Sequence, residues 1–114
     1  MDEGWEKAMT AEDYYLAGME HFSEDRLDEA IGQFRKAVQV DPSYGDAFHA
    51  LAMSHHHKGE YDSAIEWGER YRDLDPDSPL AYTSLSMFYQ AKGMIEKAEE
   101  MGALAAQAAA RQKG

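Results

Sequence analysis

Three segments of the chain, LDEAIGQF, YDSAIEWG and IEKAEEMG, begin at Leu27, Tyr61 and Ile95, thirty-four residues apart each time. A fixed period of this length constrains the fold more than any composition does. Each period is one supersecondary unit that can bury its apolar face only against its neighbours. Other columns keep step. Ala30, Ala64 and Ala98 recur, as do the small residues Gly18, Ala52 and Ser86. Tyr14, Phe48 and Tyr82 form an aromatic column, and His21, His55 and Tyr89 form another. Pro42 and Pro76 close the first two units, and Ala110 stands where a third proline would.

Within a unit the pattern predicts two short helices. Tyr14, Ala17, Gly18 and His21 fall on one face at helical spacing, and Leu27, Ala30, Ile31, Phe34 and Ala37 do so after a turn. Thr10 with Asp13, and Ser43 with Asp46, have capping-box spacing. Ser78 before Pro79 reads as a cap with proline at the first helical position, and Gly59 and Gly93 read as helix stops. No segment reads as a strand. The expected fold is all-α, with six antiparallel helices forming a single domain over 1–114. Its units span 11–44, 45–78 and 79–112, after a cap segment at 1–10.

These columns resemble those of the tetratricopeptide repeat family, whose unit is a helix–turn–helix of this length, and the resemblance covers nearly the whole chain. It implies an α-solenoid with small residues at the helix crossings. The chain departs from the family pattern on its second helices. The usual bulky residue is Phe34 in the first unit but Gly68 and Gly102 in the others, and the usual small residue is Ala37, then Tyr71, then Ala105. Gly68 with Tyr71 reads as an exchange of volume along one helix. Glu99 stands where Ile31 and Ile65 stand, which predicts that no further unit packs there, and the alanine-rich segment after it reads as an extended last helix serving as cap. Gly102, Ala106 and Ala110 make a small-residue stripe through which a homodimer is one expectation. Trp5 and Met9 are expected to cover the first unit.

Composition narrows the partners. The formal net charge is −11, and residues 1–30 carry most of it, with ten acidic side chains against Lys7 and Arg26. Such a pole disfavours nucleic acid and anionic membrane surfaces. No apolar run is long enough to span a bilayer. The absence of cysteine removes disulfides and thiolate chemistry, and the cytoplasm is the expected compartment.

The resemblance further implies that the first helices line a concave groove through the second, fifth, ninth and twelfth positions of each unit. Here these are Glu12, Tyr15, Met19 and Phe22; Asp46, His49, Met53 and His56; and Leu80, Thr83, Met87 and Gln90. Met19, Met53 and Met87 share one column. Thioethers are flexible and polarisable, which suits an adaptable apolar surface. Some relatives grip a C-terminal carboxylate with lysine, asparagine and arginine in this groove. The matching positions here are Tyr15, Met19, Ala50, Leu80 and Ser84, so that clamp is absent.

His55, His56 and His57 form the remaining unusual feature. Adjacent helical residues diverge by about 100°, so the run cannot converge on one ion. His49, Met53 and His56 share a stripe, but its ends lie two turns apart, about 10 Å. The expectation is no metal, no cofactor and no catalytic set, hence no enzyme. The expected function is a scaffold or adaptor whose Met-lined groove binds an apolar or amphipathic segment of another protein. A self-assembly unit and a pH- or metal-responsive adaptor are the alternatives.

Overall fold

The computed structural model describes residues 8–114. Six helices follow one another: α1 (Ala11–Ser23), α2 (Leu27–Val40), α3 (Gly45–His57), α4 (Tyr61–Leu74), α5 (Pro79–Ala91) and α6 (Ile95–Lys113). No strand occurs among the described residues. Each helix packs on its chain neighbours, and α1 also touches α3. The result is three antiparallel pairs in a solenoid, as the period predicts.

The turns inside the units share one geometry. The N–H groups of Arg26, Glu60 and Met94 donate to the carbonyls of His21, His55 and Tyr89, each at 2.9 Å. Those of Asp25, Gly59 and Gly93 donate to Phe22, His56 and Gln90. This double bond pattern is a Schellman stop, which needs a left-handed residue just past the helix. Gly59 and Gly93 supply it with φ of 80° and 86°, and in the first unit Asp25 takes φ 62°. The sequence reading missed Asp25, although aspartate is among the few non-glycine residues that visit this region.

Of the three expected caps, one forms as a box. Thr10 accepts from the Asp13 amide, and the Asp13 carboxylate accepts from the Thr10 amide. Ser43 caps nothing. The Asp41 carboxylate takes both its amide and its hydroxyl, so α3 begins after Tyr44. Asp41 competes here by closing a local side-chain-to-backbone turn. Ser78 is the N-cap of α5 without a side-chain bond, and Pro79 has no N–H to satisfy at the first helical position.

The small column lies where the paired helices cross. Ala30, Ala64 and Ala52 are fully buried, and Ala98 nearly so. Ala64→Leu is therefore expected to overpack the α3–α4 crossing and to cost about 1–3 kcal/mol. A urea midpoint equal to wild type would contradict this placement.

The volume missing at Gly68 is made up differently from the expected exchange. A Cβ on Gly68 would lie 3.2 Å from the Phe88 ring and 3.0 Å from Leu85, both on α5. In the first unit the same slot, beside Gly18, is filled by Phe34 of the unit's own second helix. A ring from the following unit thus replaces a ring from the same one. Tyr71 is buried elsewhere, with Phe48 and Ala81. Trp67 is only partly buried, yet it packs against all three clusters of the core.

Ion pairs also join successive units. Lys58 reaches Asp28 at 2.5 Å, and Lys92 reaches Asp62 across the next boundary. At the ends of the solenoid, Glu99, Gly102, Ala106 and Ala110 are exposed, as is Met9. Of the two residues expected to cover the first unit, Met9 is 46% exposed and Trp5 lies outside the described residues. The end of α6 is tied back by Gln112, which donates to the Asp77 carbonyl at 3.0 Å.

Candidate functional site: a groove between the first helices

Helices α1 and α3 run side by side on one face and enclose an open cavity of about 240 Å³. Tyr15, Met19 and Phe22 line it from α1, and Asp46, His49, Ala50, Met53 and His57 line it from α3. Residues four or so apart on a helix share one face, which is why these side chains converge. Six residues expected from their positions thus meet: Tyr15, Met19, Phe22, Asp46, His49 and Met53. Met19 is 40% exposed, whereas Met53 is half-buried against the core. Glu12 is exposed and does not line the cavity.

The other expected groove residues do not line this cavity. Leu80, Thr83 and Met87 are exposed on α5. Gln90 sits on the end face with Ser86, Ile95 and Glu99. Between α3 and α5 the side chains are in contact. His49 shares a 3.0 Å hydrogen bond with the Ser84 hydroxyl and packs its ring 5.2 Å from Tyr71. Phe88 stacks 5.2 Å from His56.

The histidine run resolves into three separate roles. His55 Nδ1 meets the Glu60 carboxylate at 2.7 Å and braces the turn. His56 points to Phe88 and Tyr61 rather than into the cavity. His57 lines the cavity in its place. Its Nδ1 donates to the Met53 carbonyl at 2.9 Å, and its ring rests edge-on against Phe22 at 5.0 Å. No group of three or more metal-ligating side chains gathers among the described residues.

Two of these rings resist protonation. Burial pushes His49 below the ordinary imidazole value against the opposing pull of Asp46, and burial followed by the neighbouring His57 does the same to His56. A pKa lowered in the folded state gives stability that is full above the unfolded value, about 6.5, and is lost as pH falls through the folded one. His49 faces Asp46, Tyr71 and Ser84; His56 faces His57, Tyr61 and Phe88. The His49→Gln, His56→Gln variant is expected to lose less melting temperature than wild type between about pH 7.5 and about pH 5.5. Equal losses would show that other groups set the acid limit.

A model of the tetratricopeptide repeat family matches residues 15–79, more than half of the chain. The chain belongs to this family. Among solved structures it is similar to MamA, with 28% identity and a TM-score of 0.88 over 92% of this chain and 61% of that one. The chain thus spans less than two thirds of MamA. It also resembles the type III secretion translocator chaperone SycD of Yersinia enterocolitica (22% identity, TM-score 0.85, 91% of this chain and 79% of that one). A third is the first TPR of Spaghetti (RPAP3) bound to the HSP90 peptide SRMEEVD (18% identity, TM-score 0.83, 90% and 81%). At those last two identities the likeness is one of fold. No curated protein sequence matches the chain.

Proposed function

We propose that the chain is a non-catalytic interaction module that takes an apolar or amphipathic segment of another protein into the α1–α3 groove. The observation that carries this reading is the cavity itself, open to solvent and walled by Met19, Met53, Tyr15 and Phe22. Apolar side chains left open in a concave surface gain free energy when a partner covers them. The family and the peptide-bound relative support the class of function. No helix among the described residues is long and apolar enough to cross a membrane.

The test is a pair of substitutions at comparably exposed apolar residues. Met19 lines the cavity; Val40, 54% exposed at the end of α2, does not. Met19→Gln is expected to weaken binding of the natural partner about tenfold, and Val40→Gln to leave it unchanged. Equal affinity for wild type and Met19→Gln places recognition on another surface.

A further inference from the structure

The charges of the molecule are sorted by helix. Not one of the eleven Lys and Arg residues lies on α1 or α3, the helices that line the groove, nor on α5, the first helix of the third unit. All are on the second helices, in the turns or ahead of α1. Lys58, next after the end of α3, is engaged by Asp28 and Glu60. Lys36 and Lys97 lie over the rings of Tyr14 and Tyr89. The groove face carries carboxylates instead. Asp46 lines the cavity, and Glu12 stands in the first turn of α1 at the same end. Neither takes part in an ion pair among the described residues.

The two carboxylates bracket a pair of tyrosines. Tyr15 and Tyr44 are in ring contact at 5.4 Å. Burial, then Glu12 and Asp46, raise the Tyr44 phenol above its ordinary value, and burial, then Asp46, raise Tyr15. Both phenols are therefore neutral hydrogen-bonding groups, Tyr15 on the cavity wall and Tyr44 packed against it. At the opposite end, the bond from His57 Nδ1 to the Met53 carbonyl leaves Nε2 as an acceptor in the neutral ring. The cavity is apolar in the middle, anionic at the end where α1 and α3 begin, and is lined by no Lys or Arg among the described residues.

We infer that the partner segment is cationic: one large apolar side chain fills the Met19–Met53 cavity, and a Lys or Arg beside it meets Asp46 and Glu12. Charge complementarity sets both the sign and the direction of the segment, and it rejects an acidic one by repulsion. An anionic peptide such as SRMEEVD, bound by the relative above, would meet carboxylates here and no counter-charge. The inference rests on the groove reading proposed above and adds to it the chemistry of the ligand.

The probe is a random dodecapeptide phage library panned on the whole chain, followed by anisotropy titration of the labelled winning peptides. The expected consensus places Lys or Arg within a few residues of Leu, Met or Phe. Glu12→Gln, Asp46→Asn is expected to weaken the winning peptide at least tenfold, and replacing its basic residue with Glu to abolish binding. Raising the salt is expected to weaken wild type more than that variant. A consensus that is neutral or acidic, yet lost on Met19→Gln, overturns the cationic partner and leaves the groove standing. Enrichment unaffected by Met19→Gln overturns the groove itself, and the two failures are thereby told apart.

Discussion

Trp67→Ala is expected to lower the unfolding free energy by about 3–5 kcal/mol, a large share of the roughly 5–15 kcal/mol that holds a domain together. The size of the loss follows from position rather than from depth. The indole is only partly buried, but it packs against all three core clusters. Its ring lies 5.7 Å from that of Phe48, and the Arg70 guanidinium covers it at 4.7 Å. Removing it opens contacts toward α2, α3 and α5 together. Urea unfolding followed by circular dichroism measures the loss, and a change under about 1 kcal/mol would show that surrounding side chains close the gap. In a solenoid each unit contacts only its neighbours, so the substitution is also expected to broaden the transition as the second unit loosens from both the first and the third.

Met53→Glu is the second large effect, and it reaches function and fold at once. Met53 lines the cavity on one side and packs on the other against the cluster that holds Ala52, Leu85 and Phe88. A glutamate there removes an apolar anchor from the centre of the groove, which is expected to cost about 2 kcal/mol of binding or more. The same carboxylate must also leave water beside a packed core, so the melting temperature is expected to fall. Met19→Glu provides the contrast. Met19 is 40% exposed, and its loss is expected to weaken an apolar partner with little change in stability. Calorimetric titration with the natural partner and a thermal melt of each variant separate the two effects. A Met53→Glu protein that melts like wild type would show that the side chain swings into the groove and touches the core only weakly.

The helices were legible because their signals repeat: the alanine column, the aromatic column of Tyr14, Phe48 and Tyr82 and the helix-stopping Gly59 and Gly93 recur and correct one another. The departures lie where a position is settled by the adjoining helix. Asp41 captures Ser43, so a cap expected from spacing is absent. Phe88 draws His56 away from the cavity, and His57 takes its place. Six of the groove positions converge as their register suggests, all from the first two units. The third unit lines none of this cavity; its Ser84 and Phe88 meet His49 and His56 of α3 instead. The inter-unit pairs Lys58–Asp28 and Lys92–Asp62 also repeat at the thirty-four-residue period, but the sequence reading did not name them, and spacing alone does not show that they meet.

The ring that fills the slot beside Gly68 has a consequence for how such an array can change length. Repeat proteins are open to the loss or gain of one period, since every joint is meant to resemble the next. Here the joints differ. The slot beside Gly18 is already occupied by Phe34, and the slot beside Gly68 is left open for Phe88. Excising residues 45–78 would keep the register and join the first unit to the third, but Phe34 and Phe88 would then claim the same volume. The serial order of the units is written into the core, and this chain is not an interchangeable set of modules.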